Sequence, residues 1–193
     1  MKLKFERKLE KVKELAIKEN VPIIMDETLQ KIKATLKELN KNTINKILEI
    51  GTATGYSALC FSMLLTEDGE IDTIERDEER IAKAKENIKI LEGNKKINLY
   101  EGDAVEILKQ MNNKYDLIFI DASKSKYPIF LEESLRMLNQ NGIIFADNVL
   151  YKGYVMSDYN KHKQRTAVTH LREFIKNATE NKELNTEISE VGD

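Results

Sequence analysis

The sequence is short of the residues that define several protein classes. It has one cysteine, Cys60, so it carries no internal disulfide framework and no thiolate metal cluster. It has 2 prolines and 8 glycines in 193 residues, which excludes collagen-like repeats and argues against disorder. No apolar run approaches the ~20 residues of a membrane span. The opening Met1-Lys2-Leu3-Lys4 is charged and is not followed by the apolar core of a signal peptide. Together these absences predict a cytoplasmic protein with no membrane partner. The formal net charge is −2, which as an average disfavours a nucleic-acid partner.

What is present fits one domain. A chain of this length can bury roughly 70% of its unfolded surface, enough to hold a core without staples. The charge is unevenly placed. Residues 152–172 hold five cations (Lys152, Lys161, Lys163, Arg165, Arg172) against one acid, Asp158. Residues 176–193 hold two Lys and five acids. Solvated helix faces and a basic patch beside a site are both consistent with this pattern.

The chain opens with two amphipathic segments. Residues 3–19 place Leu3, Phe5, Leu9, Val12, Leu15 and Ala16 at helical spacing. Asp26 is placed to cap a second helix over 27–39, with Leu29, Ile32, Leu36 and Leu39 inward. Apolar strands then alternate with helices: strands at 46–50, 70–75, 97–101, 115–121 and 142–147, helices at about 56–65, 77–92, 103–111, 127–138 and 164–178. Glu187 to Val191 is the start of a possible sixth strand. Continuously apolar strands between helices are the pattern of a parallel sheet covered on both faces. In such sheets ligands sit outside the carboxyl ends of the strands.

Those ends carry polar chemistry. The first strand runs into Gly51-Thr-Ala-Thr-Gly55, where glycines permit a tight turn and close backbone approach to a ligand. Ala53 takes the middle glycine position of G-x-G-x-x-G, which disfavours a pyrophosphate; a plain strand-to-helix turn is the alternative. Glu75 ends the second strand, where a carboxylate can accept from both hydroxyls of a ribose or cap the next helix. Asp103 either meets an adenine amino group or caps a helix. Asp121 and Asp147-Asn148 end the fourth and fifth strands. Two carboxylates and an amide suit a hard cation such as Mg²⁺, whereas helix capping and a turn would use the same residues structurally. Lys124, three residues after Asp121, is a general-base candidate or a surface lysine. Cys60 falls in an apolar helical stretch and reads as packing.

The runs ILEIGTATGYSAL, TIERD, GDA, YDLIFIDASKSKY and GIIFADNVLYKG resemble the cation-dependent O-methyltransferases. That family includes catechol and caffeoyl-CoA enzymes and a bacterial branch acting on 5-hydroxyuridine in tRNA. The similarity spans about residues 20–193. It implies an α/β fold of the Rossmann-like class I methyltransferase type: a doubly wound, mostly parallel sheet with helices on both faces. Residues 1–42 would form an N-terminal helical cap and 43–193 the core of a single domain.

The resemblance implies S-adenosylmethionine and Mg²⁺, or another hard divalent cation, as cofactors. Met25 would touch the former through its backbone. Glu49 belongs to the same set, with Gly51 and Ser57 at the amino-acid end, Glu75 at the ribose, and Asp103 and Ala104 at the adenine. Asp121 would lie near cofactor and metal alike. The family's cation ligands fall on Asp121, Asp147 and Asn148, and its catalytic lysine on Lys124, with Asp121 beside it in the reaction. DNVLYKGYV, the basic stretch and the ending EISEVGD look most like the tRNA branch, whose product is 5-methoxyuridine at the wobble position of the anticodon loop. Lys152, Lys161, Lys163, Arg165 and Arg172 would then meet phosphates. A small catechol or hydroxycinnamoyl thioester, or any vicinal-oxygen substrate, fits the same chelation. A nucleotide-binding protein of another kind is the alternative outside the family. A homodimer is implied as well. The family continues past Val191-Gly192-Asp193 into a last antiparallel strand; either the sequence is cut short before it or the protein lacks it, and a missing strand would expose a sheet edge.

Overall fold

A computed structural model describes residues 2–91, 93–158 and 164–190. Two helices lead, α1 (Lys2–Lys18) and α2 (Asp26–Glu38). Val12 and Ala16 of α1 are buried, but Leu3 and Leu15 are exposed, so the inward stripe is narrower than the spacing predicts. Asp26 does not cap α2. Met25 occupies that position, and Asp26 is the first helical residue. Its carboxylate instead accepts from Lys13 Nζ at 2.7 and 2.8 Å, tying α2 to α1. That bond raises the Lys13 pKa above its ordinary value. Leu29, Ile32 and Leu36 are buried as expected, whereas Leu39 stands half exposed at the helix end.

Five strands follow: β1 (Ile44–Ile50), β2 (Leu65–Glu75), β3 (Lys96–Glu101), β4 (Tyr115–Ile120) and β5 (Leu138–Ala146). All pairings are parallel and the order is β3-β2-β1-β4-β5. Parallel neighbours need crossover connections, supplied by α3 (Tyr56–Phe61), α4 (Glu78–Ile88), α5 (Ala104–Gln110) and α6 (Tyr127–Met137). A 3-10 turn, Lys124–Lys126, precedes α6, and α7 (Arg165–Glu180) closes the described chain. The doubly wound parallel sheet with helices on both faces is therefore as expected. One face packs Leu48, Ile50 and Ile118 against Leu108, Phe130, Leu171 and Phe174 from α5, α6 and α7. The other packs Ile47, Leu117 and Phe119 against side chains of α1, α2 and α3.

Several boundaries move. The third helix stops at Phe61 rather than near 65, and β2 begins at Leu65 because Leu65 pairs with Ile44. The register then jumps so that Lys46 pairs with Glu70, leaving the polar residues 66–69 as a bulge. The fourth helix ends at Ile88, and β5 starts four residues early. Residues 187–190 form no strand, so the proposed sixth strand is absent there; Val191 lies outside the described residues. Within the described sheet β5 has β4 as its one neighbour.

One polar cluster interrupts the core. Asp72 on β2 is fully buried and accepts from Tyr115 Oη at 2.7 Å, Asn98 Nδ2 at 2.8 Å and Asn113 Nδ2 at 3.2 Å. Lys46 Nζ stands 3.5 Å away. This arrangement satisfies a carboxylate that could not otherwise be buried. Burial and the Asp72 contact both push the Tyr115 pKa upward. Among the described residues no helix is long and apolar enough to cross a membrane.

Candidate active site at the strand ends

The strand order reverses between β1 and β4, where a doubly wound sheet opens a crevice. A cavity of about 600 Å³ lies there. Gly51, Ser57, Glu75, Asp103, Asp121 and Lys124 line it, and so do Ala104 and Asn148. Most of the site residues read from the sequence thus meet at one hollow. Met25 does not line it; its neighbours Ile23 and Ile24 do. Glu49 is fully buried below, and Asp147 is 8% exposed and also off the wall.

The turn after β1 is built by left-handed backbone. Gly51 has φ 108° and Gly55 φ 83°. Ala53, at φ 47°, adopts a conformation that costs a residue with a Cβ. Its N–H donates to Glu75 Oε2 at 2.9 Å. The other carboxylate oxygen of Glu75 accepts from the N–H groups of Arg76 (2.8 Å) and Asp77 (3.0 Å). Glu75 therefore joins the end of β2 to the β1 turn while keeping lone-pair capacity toward the cavity. Helix capping falls to Asp77, which accepts from Arg80 N. Asp103 does cap α5, accepting from Val105 N at 2.9 Å.

Beneath this turn lies a buried chain that the sequence reading did not foresee. The Thr73 hydroxyl donates to Glu49 Oε2 and is itself bonded to the Thr52 hydroxyl. Glu49 Oε1 has no hydrogen-bond partner. Burial pushes the Glu49 pKa up to about 8, opposed in part by hydroxyls of Ser57 and Thr73 and reinforced by the charges of Asp121 and Glu75. A lone polar pair on adjacent strands, Glu49 beside Thr73, was the available sequence signal.

On the other side of the crevice, Ile120 pairs with Ala146, so Asp121 and Asp147 leave neighbouring strand ends side by side. Asp147 N donates to the Ile120 carbonyl at 2.9 Å. Asp147 Oδ1 accepts from Asn148 N at 2.9 Å. Lys124 Nζ lies between the strand ends, 3.0 Å from Asp121 Oδ1, 3.1 Å from the Asp147 carbonyl and 2.7 Å from Tyr127 Oη. The lysine is 15% exposed, which makes it part of the site rather than a surface residue. Tyr127, read only as the start of a helix, was missed; a tyrosine buried at a strand-end loop needs a partner for its hydroxyl, which is a usable cue. Among the described residues no group of three or more His, Cys, Asp or Glu side chains is arranged to hold a metal. The trio expected from the sequence has two carboxylates, its third donor being the Asn148 amide. Those are hard oxygen donors, and Asp121 and Asn148 border the same cavity, so the set fits a hard cation in its chemistry.

The basic stretch divides. Lys152 and Arg165 are exposed. Arg172 instead directs its guanidinium at the carbonyls of Val155 (2.9 Å), Tyr154 (3.3 Å) and Ser157, pinning the turn over 150–158 to α7. Three of its five N–H donors, on Nε and Nη2, are thus used on the fold. Lys161 and Lys163 lie outside the described residues. Cys60 is buried, and burial raises its pKa to about 11, as suits a packing residue.

A five-stranded parallel sheet with a crevice at its switch point and acids at its strand ends is a Rossmann-like architecture, and solved O-methyltransferases share it. A family model described as O-methyltransferase matches residues 6–193, and the chain belongs to that family. A caffeoyl-CoA O-methyltransferase of Populus kitakamiensis is 33% identical over 154 residues, covering 76% of this chain and 65% of that protein. A catechol O-methyltransferase of Niastella koreensis is 34% identical over 116 residues, 58% of this chain and 52% of that protein. The O-methyltransferase of Bacillus cereus, solved in complex with SAH, aligns with a TM-score of 0.78 at 26% identity, covering 91% of this chain and 80% of that one. The chain spans about half the length of the first curated relatives it matches.

Proposed function

We propose that the chain carries a methyltransferase that uses S-adenosylmethionine to methylate one hydroxyl of a small vicinal-oxygen compound of the catechol or caffeoyl type. The observation that carries this reading is the meeting of Gly51, Glu75, Asp103, Asp121, Lys124 and Asn148 at one cavity. The names of the caffeoyl-CoA and catechol relatives support the substrate class.

Each residue has a part that its geometry suits. Gly51 lets the main chain come close to a bound cofactor, and the remaining lone pair of Glu75 Oε2 accepts from a ribose hydroxyl. Asp103 and Ala104, at the start of α5, face an adenine. Lys124 Nζ, held between the ends of β4 and β5, takes the substrate proton in its neutral form and steadies an oxyanion in its charged form. A divalent cation held by Asp121, Asp147 and Asn148 would lower the pKa of a substrate hydroxyl. Holding the nucleophile and the cofactor methyl group at near-attack distance supplies up to about 7–11 kcal/mol of the barrier.

The second reading is methylation of 5-hydroxyuridine in a tRNA anticodon loop, favoured by exposed Lys152 and Arg165 and weakened by the partial structural use of Arg172. The test incubates the protein with S-adenosylmethionine and Mg²⁺, supplying catechol, caffeoyl-CoA or hydroxyuridine-containing tRNA, followed by mass spectrometry of products. Methylated catechol or caffeoyl-CoA is expected. A gain of 5-methoxyuridine without small-molecule product transfers the assignment to RNA, and no methyl transfer to any of the three overturns both.

A further inference from the structure

Tyr127 opens α6 with its side chain fully buried. Its hydroxyl lies 2.7 Å from Lys124 Nζ, 2.8 Å from the Asp147 carbonyl and 3.2 Å from the Ile120 carbonyl. A phenol has one hydrogen to give. It donates that hydrogen to the Asp147 carbonyl, the nearer acceptor, with Ile120 as the second, and it accepts from the Lys124 ammonium.

Each of these partners is one step from a candidate reacting group. Lys124 is bound directly. The Ile120 carbonyl belongs to the peptide that leads into Asp121. The Asp147 carbonyl belongs to the peptide that leads into Asn148. That carbonyl also accepts from Lys124 Nζ at 3.1 Å, so both its lone pairs are used and its peptide plane is pinned. Asn148 follows at φ 52°, a left-handed conformation that asparagine tolerates. The ring is braced too: Phe174 of α7 meets it edge-on at 5.3 Å, and Lys124 Nζ sits 4.8 Å from its centroid.

We infer that Tyr127 is a positioning residue for the proposed methyl transfer: its hydroxyl aims the Lys124 amine and, through the Asp147 carbonyl, sets the Asn148 side chain, locking the ends of β4 and β5 at one spacing. The inference rests on the reading proposed above.

The test is Tyr127→Phe, which keeps the ring and removes the hydroxyl. Its control is Tyr115→Phe, which deletes an equally buried hydroxyl, bonded to Asp72 at the opposite end of β4. Outer partners of this kind are worth about 10–100-fold in activity or metal affinity. Tyr127→Phe is expected to lower kcat on catechol about 10–100-fold with the KM for S-adenosylmethionine unchanged, and to weaken Mn²⁺ binding, followed by electron paramagnetic resonance, by a similar factor. Tyr115→Phe is expected to lower Tm and leave both quantities alone. Wild-type kcat and Mn²⁺ affinity in Tyr127→Phe overturn the inference, as does equal loss in the two variants. A wild-type protein inactive on catechol refutes the substrate reading instead; the Mn²⁺ comparison then decides, weakened binding in Tyr127→Phe supporting the inference and equal binding overturning it. Wild-type protein that binds no Mn²⁺ overturns it too.

Discussion

A β-carbon placed on Gly51 would lie 2.2 Å from the carbonyl oxygen of Asp121. The turn after β1 and the end of β4 are therefore packed main chain against main chain, and Gly51 also holds a left-handed φ of 108°. Neither side can yield by rotating a side chain.

Gly51→Ala is accordingly expected to separate the two loops. The variant should lose S-adenosylmethionine binding by more than tenfold in calorimetry and lose stability by at least about 2–3 kcal/mol, the scale of combined overpacking and backbone strain. Undiminished binding would show that the crevice can widen without consequence.

Glu49 gives a pH prediction. Burial raises its pKa from the ordinary 4.5 to about 8, so the folded protein keeps a proton that the unfolded chain releases. Between about pH 4.5 and about 8 the folded state binds more protons, and stability falls as pH rises, by at most about 1.4 kcal/mol per pH unit from this group. Above about pH 8 the contribution levels off. Glu49→Gln removes the titration. Its Tm relative to wild type should climb across that window, and parallel Tm curves from about pH 5 to 8 would contradict the assignment.

The Asp72 cluster predicts a large stability effect far from the site. Asp72→Ala strips acceptors from Tyr115, Asn98 and Asn113 and leaves Lys46 without its nearby buried carboxylate. Breaking such an arrangement costs about 3–5 kcal/mol. Urea unfolding should show a lower midpoint with an unchanged slope. A loss below about 1 kcal/mol would mean that water satisfies the stranded donors.

Glu75→Ala removes the acceptor shared by the N–H groups of Ala53, Arg76 and Asp77. Hydrogen bonds to a charged group are worth about 1.5–3 kcal/mol. S-adenosylmethionine affinity should fall at least about tenfold, with exchange of the Ala53 amide accelerated. A variant that binds cofactor normally would remove Glu75 from the cofactor set.

The sheet was legible because its strands are apolar on both faces and are bounded by acids, which is a local signal. The first half of β2 was not, since residues 66–69 are polar and form a strand only through pairing across a bulge. Asp26 looked like a cap because capping is judged along the chain, whereas its partner Lys13 comes from another helix. Arg172 was counted as a free cation. Charge can be read from sequence, but whether three of its five donors are engaged by carbonyls of residues 154, 155 and 157 cannot. Gly51, Glu75, Asp103, Asp121, Lys124 and Asn148 were all legible because strand ends converge by topology. Tyr127 and the chain through Thr52, Thr73 and Glu49 were not, because their importance lies in hydrogen bonds between strands.

The reversal of strand order between β1 and β4 divides the crevice between two flanks of the sheet. One flank, β1 to β3, supplies the turn, Glu75 and Asp103; the other, after β4 and β5, supplies Asp121, Lys124 and Asn148. The flanks share the crevice but few side chains. On the function proposed above, substitutions on the β5 side are expected to change substrate choice more than S-adenosylmethionine affinity.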